Sequence, residues 1–244
     1  MIDYSNNNSN PEYSADHVQA QDTTKSFLAN VFTYMSCALA ITGFLAYWFG
    51  NSPELMANLV DPMGGATFLG YVVMFAPLAF ILVMSFAFSK LSSVALLGLF
   101  VLYSSVMGVS MSFIFLAYTT SSIASTFFIT AATFGVMAVL GYTTKQDLTK
   151  FGSILIMALI GVIIASVVNM FIGSSMLDLI ISCAGVLVFT GLTAYDVQKL
   201  KRIGAGVEYG SESANKLAIM GALNLYLDFV NLFMMLLRLF GDRR

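Results

Sequence analysis

Apolar residues run along this chain in seven long blocks separated by short polar breaks. The blocks are Phe27–Phe49, Gly65–Phe88, Leu91–Ala117, Ile123–Tyr142, Phe151–Ile172, Met176–Gln198 and Lys216–Phe240. About 20 residues of helix, rising about 1.5 Å each, cross the ~30 Å hydrocarbon layer of a bilayer, and each block reaches that length. None breaks into the roughly ten-residue alternating segments of a membrane β-strand. The pattern predicts an all-α integral membrane protein, a seven-helix transmembrane bundle over residues 27–240. Ahead of it, residues 1–26 are rich in Asn, Ser and Asp and lack the apolar core of a signal peptide. They are expected to form a disordered cytoplasmic tail. Residues 241–244 make a short C-terminal tail.

Composition supports this class: 58% of residues are hydrophobic and 10% charged, against about 25% charged in soluble domains. A net charge of −2 indicates neither nucleic acid nor an anionic membrane surface as a partner. The basic residues alternate in placement. Lys25, Lys90, Lys145, Lys150, Lys199, Lys201, Arg202 and Lys216 lie in or beside alternate connections, and the three intervening loops hold none. The positive-inside tendency then puts the N-terminus in the cytoplasm. Seven crossings leave Arg238, Arg243 and Arg244 outside, against that tendency, whereas a re-entrant last segment would return them; the first helix carries more weight, and seven spans are expected. The one histidine, His17, lies in the tail, so a pH response within the membrane must come from carboxylates. Cys37 and Cys183 read as buried small hydrophobes.

The last block organises the rest. Asn224, Asp228 and Asn231 share one helical face, with Gly221 a turn earlier on the same side. An intramembrane carboxylate costs several kcal/mol and faces protein or water rather than lipid. This helix is therefore expected at the centre of the bundle, presenting Asp228 to an internal path. Asn224 and Asn231 either line that path or hold helices together by hydrogen bonds, and Gly221 allows close contact. In the preceding block stands Tyr195-Asp196. Tyr195 joins the path-lining or packing residues. Asp196 either packs against Asp228 across antiparallel helices or sits at the water boundary beside Lys199. If the two carboxyls meet, they share one proton and titrate as a pair. Fully ionised, they repel or bind a hard cation such as Ca²⁺ through oxygen. Asp178 opens a helix, where a negative charge favours the dipole, and Asp147 reads as a solvated surface charge.

These residues carry a resemblance. TAYDVQ followed by a basic loop and ALNLYLDFVNLF resembles the last two helices of the Bax inhibitor-1 family, in its bacterial branch. Upstream, FFITAATFGVMAVLGYTTKQDLTKFGSILIMALIGVIIASVVNMF resembles that family's fourth and fifth helices, so the likeness covers about residues 92–240. It implies two three-helix layers around a central last helix, and a pH-sensitive calcium leak in a bacterial plasma (inner) membrane. It maps the family's gating aspartates onto Asp196 and Asp228. Calcium is then the transported or transiently bound species, no tightly bound cofactor is expected, and the bilayer surrounds the protein. Family members also carry an arginine on the second helix near the pair; the second block here has no basic residue.

Two other functions compete. An intramembrane aspartyl protease also pairs a Tyr-Asp with a second Asp on the next helix. Its Gly-x-Gly-Asp is missing, however, since Tyr226-Leu227 precede Asp228, and so is its Pro-Ala-Leu. A non-enzymatic regulator would instead bind a membrane protease or quality-control machine through the polar tail.

Overall fold

The computed structural model describes residues 11–61, 63, 65–208 and 210–244. The described residues form nine helices: α1 (Pro11–Gly50), α2 (Pro53–Met56), α3 (Phe68–Ala87), α4 (Ser93–Met111), α5 (Ile114–Ala117), α6 (Thr120–Thr143), α7 (Thr149–Ile172), α8 (Ser175–Ala205) and α9 (Glu212–Phe240). Counting α4 with α5 as one crossing gives seven segments long and apolar enough to span a membrane. The protein is an all-α integral membrane protein.

Polar residues at the breaks set the helix starts. The hydroxyls of Thr67, Ser92, Thr119, Ser174 and Ser211 each accept a hydrogen bond from a backbone amide in the first turn of α3, α4, α6, α8 and α9. Inside a bilayer those orphan amides would find no water, so the caps stabilise each helix entry. Gly173 ends α7 at φ 67°, a left-handed conformation that a side chain disfavours.

One expectation about the N-terminus is corrected. Helix α1 begins at Pro11, so residues 11–26 extend the first spanning helix and are not a disordered tail. Proline suits the first helical position, Lys25 pairs with Asp22 three residues earlier, and Thr24 is already buried. The remainder of that expected tail, residues 1–10, lies outside the described residues.

Helices α1, α3 and α4 pack as one group and α6, α7 and α8 as another, and α9 packs against α1, α4, α6 and α8. In the apolar stretch of α9, 72% of residues are buried, against 11% in α7 and 17% in α3. The last helix is the centre of the bundle. It crosses once. At its start the Glu212 carboxylate accepts from the Ser93 amide at 2.6 Å and hydroxyl at 2.8 Å, capping α4 at the lysine-bearing end. At its finish the tail pairs with the α5–α6 junction, Thr119 N–H donating to Asp242 O and Arg244 N–H to Ala117 O. Arg238, Arg243 and Arg244 therefore sit at the opposite end of the bundle from the lysines. Asp178 at the start of α8 faces two of them, 3.6 Å from Arg238 and 3.9 Å from Arg243. Both cysteines are exposed on the protein surface rather than buried. Thiols are apolar enough to face hydrocarbon, which composition could not separate from burial.

Candidate functional site

Helix α8 makes its most extensive contact with α9, and this contact brings Asp196 and Asp228 together. Their carboxyl groups lie within hydrogen-bonding reach of each other. Asp228 is buried at 6% exposure, and its Oδ2 has no hydrogen-bond partner. Asp196 is half-buried, and Lys199 is exposed one turn later on the same helix. Asp196 thus meets its partner and also borders the basic end. Two ionised carboxylates are acceptors only. Joined directly, they need a shared proton or a cation between them.

The other expected site residues divide by role. Gly221 is buried where α9 crosses α8 and α1: a Cβ there would collide with Leu200 and touch Val31 at 3.5 Å. Tyr195 turns away from the pair, its ring filling the space beside Gly152 of α7. Asn231 is half-buried and donates to the Leu227 carbonyl of its own helix at 2.8 Å, so it bridges to no other helix by that bond. Asn224 is exposed, although it lies one turn before Asp228 on a mostly buried helix. One turn beyond Asp228 on the same face, Leu232 is fully buried.

Two groups of residues escaped the sequence reading. The first is a polar and aromatic knot on the side of α9 that faces α1 and α4, away from the pair. Tyr226, two residues before Asp228, shares a 2.7 Å hydrogen bond with Thr42 of α1, and Thr42 donates to the Ser104 carbonyl of α4 at 2.8 Å. Tyr103 packs edge-on to Tyr226 with centroids 5.6 Å apart, and its hydroxyl has no partner. A tyrosine two positions from an intramembrane aspartate was the available signal. The second is a latch at the lysine-bearing end. Gln198, two residues after Asp196, accepts from Leu148 N–H at 2.9 Å and donates to Gln146 O at 2.7 Å. Arg202 donates to Gln198 Oε1 at 2.6 Å, to Thr149 Oγ1 at 2.7 Å and to Asp147. Asp147 is thus exposed but paired, not merely solvated. Hydrogen bonds from Thr149 first, then from the Arg202 guanidinium, hold its carboxyl well below the usual carboxylate range. The latch ties the α6–α7 loop to the helix that carries Asp196.

Among the described residues no group of three or more His, Cys, Asp or Glu could hold a metal ion. The pair alone supplies two carboxylates, while Ca²⁺ takes about six to eight oxygens.

A family model described as inhibitor of apoptosis-promoting Bax1 matches residues 24–244. The inner membrane protein YbhL of Escherichia coli is 45% identical over 228 residues, covering 93% of this chain and 96% of that protein. A protein of Borreliella burgdorferi is 46% identical over 218 residues, covering 89% and 92% of the two chains. One of Rickettsia prowazekii is 41% identical over 220 residues, covering 90% and 91%.

Proposed function

With the chain established as a member of the Bax inhibitor-1 family, we propose that it forms a pH-sensitive calcium leak gated by Asp196 and Asp228. The observation that carries this reading is the meeting of two carboxyls, one of them buried with an unpartnered oxygen, on consecutive spanning helices at the bundle centre. Exposure along α9 supports a direction. Asn224 is exposed and Leu232 is fully buried, one turn to either side of Asp228. An amide side chain facing hydrocarbon is costly, so the opening beside Asn224 takes water and reaches within about 5.4 Å, one turn, of Asp228. Beyond the pair, Leu232 closes the same face. Cations approach from the lysine-bearing end, and the opposite side is shut.

The pair holds one proton and ties α8 to α9. As pH rises that proton leaves, the carboxylates repel, and the same oxygens become free for Ca²⁺. At an effective dielectric of about 20, two charges about 4 Å apart repel by roughly 4 kcal/mol, ample to move a two-state helix contact from mostly closed to mostly open. The sign follows: closure is present while the shared proton is held and is lost as pH rises through its titration. Tyr226 weighs against the protease reading. It is fully buried against Thr42 and Phe100, and on either side of it Leu225 and Leu227 stand where Gly-x-Gly-Asp has the glycines that let a substrate strand approach.

The test is purified protein in liposomes containing a calcium-sensitive dye, with external Ca²⁺ added across a pH series. Calcium influx that rises with pH supports the reading. Influx no greater than that of protein-free liposomes at every pH refutes it.

A further inference from the structure

At the lysine-bearing end of the bundle, a cavity of about 280 Å³ opens between α1, α6 and α8. Leu28 and Phe32 of α1, Ala138 and Tyr142 of α6, and Val197 of α8 form its walls, and Lys25 stands at its rim. The cavity continues outward onto Val139, which is 62% exposed on the surface that the bilayer covers. A second ammonium lies against one of its wall residues. Lys201 Nζ donates to the Tyr142 carbonyl at 2.8 Å and lies 4.8 Å from the centre of that residue's ring. The site is an apolar slot, open to lipid, with Lys25 at its rim and Lys201 held against Tyr142 of its wall.

The charges nearby leave room for an anion. Asp22 pairs with Lys25 at 3.4 Å, but both side chains are more than half exposed, and such pairs are weak competitors for a phosphate. Two other acids of this end are engaged away from the cavity, Asp147 with Arg202 and Glu212 with Ser93. Asp196 and Asp228 are inside the bundle, and Asp178 and Asp242 are at its other end.

We propose that this cavity binds one anionic phospholipid, its phosphate between Lys25 and Lys201 and the first part of an acyl chain against Leu28, Phe32 and Ala138. Basic pockets between spanning helices favour acidic headgroups. A zwitterionic lipid brings its own ammonium or choline group toward the same lysines and gains less. Pockets that enclose whole drug-sized ligands run to about 300–1,000 Å³, so this one holds the upper chain while the remainder lies along α6.

The experiment is native mass spectrometry of the full chain in detergent, titrated separately with dioleoylphosphatidylglycerol, dioleoylphosphatidylcholine and glycerol phosphate. It reads binding alone, so its outcome is independent of calcium flux. Wild type is expected to retain one phosphatidylglycerol in preference to phosphatidylcholine. Lys25→Gln should reduce that preference about fivefold, the contribution of one lysine near a lipid surface. Lys150→Gln, at an exposed lysine of the same end outside the cavity, should leave it unchanged. Val139→Trp, which crowds the mouth from an exposed position, should weaken retention of both lipids. Equal binding of the two lipids by wild type overturns the proposal, as does an equal effect of the two lysine variants. Binding of glycerol phosphate as tight as that of the lipid would assign the site to a soluble phosphate and overturn it too.

Discussion

Thr42 has one hydroxyl proton, and that proton is engaged with the Ser104 carbonyl at 2.8 Å. The 2.7 Å bond between Thr42 and Tyr226 must therefore be donated by the tyrosine. This assignment makes the two single variants unequal. Tyr226→Phe deletes the donor, while the Thr42 hydroxyl keeps its bond to Ser104. One net hydrogen bond is lost, about 1 kcal/mol, and no donor is orphaned. Thr42→Val keeps the shape but strips a fully buried phenol of its acceptor, with the side chain of Thr42 itself only 4% exposed. That unsatisfied donor adds about 1–3 kcal/mol to the lost bond. In the Thr42→Val background, Tyr226→Phe removes the orphan and should be neutral or stabilising. The double-mutant cycle, read by reversible denaturation in mixed micelles, should then give a coupling of at least about 1 kcal/mol. Additive effects, or Thr42→Val milder than Tyr226→Phe, would refute the direction of the bond and the closure of α1 and α4 on α9 that it supports.

Other expectations follow from packing and charge. A Cβ on Gly141 would run into the Ala194 carbonyl, a backbone atom that cannot step aside; Gly141→Ala should destabilise by about 1–3 kcal/mol despite its better helix propensity. Gly98→Ala in α4, where a Cβ meets nothing within 4 Å, is the control and should show no loss in the same melting assay. Gly221→Leu should cost about 1–3 kcal/mol because it drives into Leu200 and Val31, and an unchanged melting temperature would contradict the central placement of that glycine. For orientation, a single cysteine replacing the exposed Lys145, with Cys37 and Cys183 changed to alanine, should resist an impermeant thiol reagent in intact cells; labelling would reverse the assignment. The Asp147 carboxyl is held below its ordinary value of about 3.9, so its contribution is present above that pH and lost as pH falls toward the lowered folded value. Asp147→Asn should therefore leave the pH profile of calcium flux above about pH 5 unaltered.

The spans and the central helix were legible because each rests on a one-dimensional signal. An apolar block long enough to cross a bilayer reads directly as a helix, and three polar residues on one face of the last block mark it as the helix that lipid does not touch. The meeting of Asp196 with Asp228 was legible only as one of two alternatives, since facing requires the rotation of α8, which an evenly apolar helix does not encode. The same gap explains Cys37 and Cys183: with both faces of a helix apolar, hydropathy cannot say which one meets lipid. Tyr195 lies next to Asp196 in sequence, yet about 100° around the helix it points to Gly152 of α7. Thr42, Ser104 and Tyr226 come from three distant segments, and Gln198 and Arg202 reach a loop some fifty residues away. Such contacts exist only after the helices are packed. The tail was misread for a different reason. Residues 11–26 are polar enough to look unfolded, but they continue a helix already nucleated by the membrane span.

The measurement that bears most directly on the central claim is calcium flux into liposomes at several pH values for wild type, Asp196→Asn, Asp228→Asn and the double variant. If one shared proton closes the path, each single change flattens the pH dependence. The double variant then resembles either single one, because the coupling is already gone. If both single variants keep the wild-type pH profile, the two aspartates do not sense pH and the account of the gate is wrong.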